Sequence, residues 1–338
     1  MKTYWLSLLL PLLSAAADWQ SLPPLPDAEG FAGVFAGVSE GALLVAGGAN
    51  FPDAPPWRGG TKTWYDSVFA LADPEGDWQR LGRLPRPNGY GVSVTTKDGV
   101  ICAGGGDADG HFREVFRLRK QGDRLQIDPL PSLPRPCALM AGAVLDGTLY
   151  LAGGIERPDA TAALAVLWSL DLADPATGWR ELSPCPGPAR ILAVMGSHDG
   201  VLHLFSGAAL KPGPDGKPER EWLKDAWQFR PGQGWRRLAD LPRVAVAAPG
   251  PVPVVEERLW VIGGDDGTHA AFEPKDRHPG FPRDVLAYDP GTNTWTQVGK
   301  VPFSLVTTAL VEWRNRLVIP GGEARPGKRS PQVWQGTR

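Results

Sequence analysis

The chain has 338 residues, a formal net charge of −2, and an unusual richness in glycine (42), proline (35) and tryptophan (14). That length holds one large core or two ordinary domains, and the near-neutral charge excludes nucleic acid and acidic membrane surfaces as partners drawn in by electrostatics. Abundant turn formers, with no long apolar stretch of helical period beyond residue 17, point to many short strands joined by tight turns.

The N-terminus reads as a processing signal. Lys2 supplies the positive charge, Trp5 to Leu13 the apolar stretch and Ala15-Ala16-Ala17 a small-residue cleavage site. The apolar run is too short to span a bilayer. The expected product is an exported protein, periplasmic or secreted, with residues 1–17 removed and residues 18–338 as one domain. No later segment is apolar enough to hold it in a membrane.

From residue 18 onward one pattern recurs. A short apolar run ends in two glycines: Ala42-Leu-Leu-Val-Ala-Gly47-Gly48, Val100-Ile-Cys-Ala-Gly104-Gly105, Thr148-Leu-Tyr-Leu-Ala-Gly153-Gly154, Arg258-Leu-Trp-Val-Ile-Gly263-Gly264 and Arg316-Leu-Val-Ile-Pro-Gly321-Gly322. A sixth copy, Val201-Leu-His-Leu-Phe-Ser206-Gly207, has lost its first glycine. Ahead of each run lies a small apolar segment such as Phe31 to Val38 or Ala138 to Val144, often joined to it by Asp-Gly, as at Asp98-Gly99, Asp146-Gly147 and Asp199-Gly200. After each run comes a loop of variable length and a third strand, such as Ser67 to Leu71 or Asp225 to Phe229. A fourth, usually opened by tryptophan (Trp78, Trp179, Trp235, Trp295), precedes a proline turn. The period is roughly 50 to 60 residues, the range of kelch propeller blades.

The ends complete the count. The last repeat stops at its third strand, Gln332-Val333-Trp334, while the strand at Trp19 stands alone at the start. The N-terminal strand is expected to fill the last blade and leave no open edge. The fold class is therefore all-β: a six-bladed kelch-type β-propeller closed by its N-terminal strand. The tryptophans are read as packing between blades, with Trp57 and Trp64, inside a long loop, set apart. Cys102, Cys137 and Cys185 fall in three different repeats. Their spacing matches no metal site, and an exported chain would permit one disulfide among them.

Strand direction alternates within a blade. The loops after the glycines and the turns after Leu-Pro therefore open on one face, and a site is expected there. That rim gathers Asn50, Asp107, Glu156, Asp265, Asp266 and Glu323 after the glycines. It also gathers Arg86, Asn88, Tyr90, Arg135, Arg190 and Arg243 near the turns, with Lys62 in a long loop. Only the last repeat places a glutamate directly after its glycines. Glu323 is the candidate proton-transfer group, and arginine's planar fork suits a bound carboxylate. Acids in such loops also accept backbone N–H bonds, the expected role of Asp265 and Asp266.

Two sets of residues resemble one family. Gly322-Glu323-Ala324-Arg325-Pro326-Gly327-Lys328-Arg329 is similar to a Gly-Glu-Ala-Lys-Pro-Gly-x-Arg segment of bacterial N-acetylneuraminate epimerases, the exported sialic acid mutarotases. Gly33 to Ser39, Ala46 to Phe51 and Gly89-Tyr-Gly-Val-Ser93 resemble further segments of that family, which there follow the Gly-Glu-Ala segment and here precede it. The chain thus looks cyclically permuted, which a closed ring allows. The resemblance implies an isomerase without cofactor or metal, acting on an acid sugar, with Glu323 as base and Arg329 as a second catalytic residue, and a homodimer. It leaves Asn50, Lys62, Arg86, Asn88, Tyr90, Asp107, Arg135, Glu156 and Arg190 as candidate substrate contacts. Asn88 stands where the family segment has an arginine, so carboxylate recognition is expected to change there, with Arg86 as substitute. The competing expectation is a propeller that binds carbohydrate or protein without chemistry. A sialidase is disfavoured by the lack of repeated Ser-x-Asp-x-Gly-x-Thr-Trp motifs. A copper oxidase is disfavoured by five histidines too scattered to form a ligand set.

Overall fold

The computed structural model describes residues 18–338, so the expected signal at 1–17 lies outside the described residues. Six four-stranded antiparallel sheets form the propeller blades. Blade 1 runs Phe35–Ser39, Ala42–Ala46, Ser67–Leu71, Gln79–Arg83, and blade 2 runs Val92–Thr96, Gly99–Ala103, Val115–Gln121, Arg124–Leu130. Blade 3 is Ala141–Leu145, Thr148–Ala152, Leu167–Asp171, Arg180–Leu182, and blade 4 is Val194–His198, Val201–Phe205, Ala226–Arg230, Gly234–Arg237. Blade 5 is Val254–Val255, Arg258–Ile262, Asp284–Asp289, Thr294–Lys300. Blade 6 is Val311–Trp313, Arg316–Pro320, Val333–Thr337 and, as its outer strand, Gln20–Leu22. The N-terminal strand pairs Ser21 with Trp334 and so closes the ring, as the orphan tryptophan strand implies. Among the described residues no helix is long and apolar enough to cross a membrane.

Apolar second strands make the core. Ala42–Ala46, Gly99–Ala103 and Val201–Phe205 are buried at every position, sandwiched between neighbouring blades. Burying each Val, Leu or Ile there contributes about 1.5–3 kcal/mol. The tryptophans latch one blade to the one before it. Nε1 of Trp78, Trp179, Trp235 and Trp295 donates to the carbonyls of Pro23, Pro131, Ser183 and Ala239, each just past the preceding blade's outer strand. Blade 2 has no such tryptophan, and its outer strand runs Arg124–Leu130, longer than the expected Leu125 to Ile127.

The innermost strands begin later than their apolar sequence suggests: Phe35 rather than Phe31 in blade 1, Ala141 rather than Ala138 in blade 3. The residues ahead of them form a different device. Gly33, Tyr90, Leu139, Leu192, Ala247 and Thr307 all adopt positive φ, between 55° and 68°. Each N–H donates to the carbonyl of its counterpart one blade back, in a closed cycle of six bonds of 2.7–2.9 Å. Five of these residues lie outside the usual conformations of L-side chains. The cycle satisfies their backbone groups at the axis, where a strand would leave them unpaired. It is a diaphragm across the channel, and the candidate site stands on it.

The three cysteines are free. Cys102 and Cys137 are buried, and burial pushes both thiols well above their ordinary range.

Candidate active site

Above the diaphragm lies a cavity of about 520 Å³. All six blades contribute to it: Lys62 and Trp64, Asp107 and His111, Ile155, Arg220, Asp265 and Phe281, Glu323 and Arg329. Its floor is Tyr90, Leu139, Leu192, Ala247 and Thr307, five of the six diaphragm residues.

Glu323 reaches this cavity through two local features. Gly322, at φ 114°, turns the chain out of the buried strand and donates its N–H to Phe31 O at 2.7 Å; a Cβ there would sit 2.9 Å from Val306 O. The chain then folds into a ribbon, Glu323–Arg325 against Lys328–Arg329, in which Glu323 and Arg329 are directly paired. Their side chains meet: Arg329 Nη1 donates to Glu323 Oε1 at 2.6 Å, and the Gly327 N–H donates to the same oxygen at 2.7 Å. Oε2 accepts no hydrogen bond among the described residues and remains available for chemistry.

Arg329 is buried. It donates through Nε to Ala49 O and through Nη2 to Tyr90 Oη, both at 3.4 Å, and lies over the Phe51 ring at 5.1 Å. Burial works against its charge, but Glu323 and Tyr90 outweigh it and hold the guanidinium more firmly protonated than usual. Tyr90 is pushed up to about 12, first by burial, so its phenol stays neutral. Since Arg329 donates to the phenol oxygen, the hydroxyl hydrogen is left to donate elsewhere.

Lys62 Nζ stands 3.9 Å from the centroid of the Tyr90 ring and 4.6 Å from that of Trp64. Burial first, and the Arg329 charge second, lower it to about 7, with Glu323 opposing. His111 Nδ1 lies 3.0 Å from Ile155 O, an acceptor only, so that nitrogen carries the proton. Burial, with a smaller push from Lys62, holds the ring below its ordinary range.

The structure thus brings Glu323, Arg329, Lys62, Tyr90 and Asp107, with the rim residue Asp265, to one cavity and leaves the other candidate contacts outside it. Asn50 is fully buried, donating to Asp27 Oδ1 and Gly30 O and accepting from the Tyr65 hydroxyl. Asn88 is buried between blades 1 and 2 and donates to Gly104 O. Arg190 occupies the equivalent place two seams further on, between blades 3 and 4, where it donates to Ser206 O at 3.0 Å and grips Asp225 with two bonds of 2.7 Å. An arginine at position 88 would therefore enter a seam between blades, and the expected effect of Asn88 on carboxylate recognition has no geometric basis. Arg86 lies outside the cavity, 3.6 Å from Glu114 and over the Phe112 ring, and Arg135 and Glu156 are exposed and do not line it. Arg243 repeats the clamp of Arg190, pairing with Asp284. Asp265 and Asp266 accept the N–H groups of Gly267 and Thr268, as their loop position suggests. Trp64 lines the cavity, while Trp57 packs beneath the Gly327 turn.

Sequence reasoning missed His111 and Arg220. His111 follows the Gly104-Gly105 pair by a few residues, a position that marks it once the repeat is aligned. Arg220 sits on an extra ribbon, Ala208–Pro212 against Pro218–Trp222, that no repeat pattern predicts.

Six blades, a hydrogen-bonded diaphragm and a charged mouth define a kelch-type propeller with an enclosed polar site. Residues 248–302 match the model of the kelch motif, and residues 10–127 match the family model described as N-acetylneuraminate epimerase. Among curated proteins, the N-acetylneuraminate epimerase of Yersinia enterocolitica is 41% identical over 128 residues, covering 32% of each chain. That of Haemophilus influenzae is 27% identical over 232 residues, covering 61% of this chain and 58% of the relative. The match to the Yersinia proteins thus spans about a third of their length. The solved structure titled "Structure of YjhT" superposes with a TM-score of 0.67 over 92% of this chain and 95% of that one, at 17% identity, which shows the shared fold. This chain is a kelch-type propeller that is similar over part of its length to the N-acetylneuraminate epimerases.

Proposed function

We propose that the protein is a mutarotase that interconverts the α and β anomers of N-acetylneuraminate or a closely related acid sugar. The observation that carries the reading is Glu323. It is a carboxylate with one oxygen fixed by Arg329 and the Gly327 N–H and the other uncommitted, at the edge of a cavity of monosaccharide size. Ring opening needs a base for the anomeric hydroxyl, a proton for the ring oxygen and room for the open chain to turn. Glu323 is the base. Arg329 orients it and, with the Tyr90 hydroxyl, stabilises negative charge developing on the substrate oxygens.

Arg329 is committed to Glu323, so a second cation is needed for the sugar's carboxylate. Arg220, on the blade 4 ribbon that lines the same cavity, is in no ion pair among the described residues, and it is the residue we place on that carboxylate. The relation to the epimerases supports the substrate class. The signal-like segment at residues 1–17 supports export to the periplasm or beyond. A homodimer and a cyclic permutation of the epimerase repeat order belong to the same proposal.

The test is to release α-anomer N-acetylneuraminate in the presence of the purified protein and follow the anomeric signals by proton NMR. Equilibration faster than buffer, lost in Glu323→Gln, is the expected result. Line broadening without acceleration would instead establish a binding propeller.

A further inference from the structure

Ring opening at neutral pH needs a proton donor as well as a base, and the cavity holds few candidates. Tyr90 holds its proton too tightly to release it readily, since burial pushes it to about 12. His111 is held neutral by burial, and its one N–H is directed to the Ile155 carbonyl. Arg329 does not deprotonate, Asp107 Oδ1 is occupied by the N–H groups of Asp109 and Gly110, and Asp265, raised first by burial, accepts the Gly267 N–H on its Oδ1 within its own loop. Lys62 differs from all of these. It enters from blade 1, immediately before the short ribbon strand Thr63–Trp64 that pairs with Ala49–Asn50. It is in no ion pair among the described residues, and its ammonium is held only by the faces of Tyr90 and Trp64. Tyr90 links it to the other side of the reaction: one face of the ring carries Lys62, and its hydroxyl meets Arg329, which holds Glu323.

We propose that Lys62 is the catalytic acid of this site, the group that protonates the sugar's ring oxygen while Glu323 takes the anomeric proton. The assignment rests on the mutarotase reading. Glu323 removes the proton from the anomeric hydroxyl, whose oxygen becomes a carbonyl as the bond from the anomeric carbon to the ring oxygen breaks. The leaving ring oxygen takes a proton from the Lys62 ammonium. After the carbonyl turns, that hydroxyl attacks its other face and returns its proton to Lys62, and Glu323 restores the proton to the anomeric oxygen. Both side chains end as they began.

The charged and titratable groups that share the cavity with Lys62 are Arg329 and Glu323 from the blade 6 ribbon, Tyr90 on the diaphragm, His111 and Asp107 from blade 2, Arg220 from blade 4 and Asp265 from blade 5. With Lys62 titrating at about 7, the acid is present below that pH and is lost above it.

The experiment pairs kinetics with direct titration. Lys62→Met and Lys62→Arg are compared with the unaltered protein in the anomer-exchange assay. Lys62 itself is titrated by competitive acylation from about pH 5 to 11, read by mass spectrometry of its peptide. Both variants are expected to lose about 10²- to 10⁴-fold in kcat, because arginine keeps the charge but holds its proton. The acylation midpoint is expected to coincide with the alkaline fall in kcat. Full kcat in Lys62→Arg, or Lys62 titrating like an exposed lysine, overturns the assignment while leaving the mutarotase reading intact. An unaltered protein that does not accelerate exchange overturns both.

Discussion

Glu323 and Arg329 are six positions apart in the chain and 2.6 Å apart in space, and the activity is expected to depend on that contact. Arg329→Lys keeps a positive charge but loses the planar fork that holds Glu323 while reaching Tyr90 and Ala49, so kcat should fall by about 10- to 100-fold. Arg220→Ala is a different case. It removes a contact made equally before and during ring opening, so KM should rise about 10-fold or more with kcat nearly preserved. Steady-state kinetics on the two variants separates the roles, and a kcat defect in Arg220→Ala would overturn the placement. Lys62 makes a prediction without substrate. A lysine whose pKa is lowered from 10.5 to about 7 by folding costs stability, fully below about 7 and progressively less as pH rises towards 10.5. Lys62→Met should therefore raise Tm most at pH 6–7, with the gain shrinking in alkaline buffer, as thermal scans across that range will show. At this scale the sequence was legible in part. Glu323, Arg329, Lys62, Tyr90 and Asp107 are all recognisable as rim residues. Asn50, Asn88 and Arg190 carry the same polar chemistry, yet their side chains turn into the protein, and no one-dimensional pattern records which way a loop residue faces.

At the scale of elements, the ribbon carrying Glu323 is braced from three sides. Lys328 pairs with Glu29, Arg325 donates to the Asp276 carbonyl at 2.7 Å, and Gly327 packs against Pro56 and Trp57. Both basic residues hold the ribbon in place. The seams between blades are built by clamps. Burial alone would raise the Asp225 carboxyl, but its bonds from Arg190 and Trp227 bring it below the usual carboxylate range. Arg190→Met removes the partner and leaves a buried carboxylate uncompensated, a loss of about 3–5 kcal/mol. Urea unfolding measures that loss. Unchanged KM in the surviving folded protein would confirm a structural role, whereas a large rise in KM at full stability would restore Arg190 as a substrate contact. The clamp's contribution is present above the ordinary aspartate range and is lost as pH falls through the lowered Asp225 value, so the variant and the unaltered protein should converge in acid.

At the scale of the molecule, closure by Gln20–Leu22 makes the ring continuous. Removing residues 18–22 exposes the edge of Val333–Thr337 and unseats Trp19 from Phe303, which it meets edge-on at 5.1 Å. Lower Tm and light scattering from edge-to-edge association are expected, and an unchanged melting profile would mean the ring does not need its latch. Because Glu323 stands in the blade that this strand closes, activity should fall with stability.

The sequence by itself determined the blade count, the order of strands and the closing role of the N-terminal strand. Each of these is written in a periodic signal, in which apolar runs must be buried, glycines must turn and every edge must find a partner. It also singled out Glu323, because one repeat departs from the others at that position. Only the tertiary structure decided which polar residues share the cavity, that a cycle of six left-handed residues floors it, and that Arg220 comes to it on an extra ribbon. Those are contacts between blades that lie far apart in the chain. They depend on the angle at which each loop leaves its blade, and that angle is set by packing around the closed ring rather than by any local run of residues.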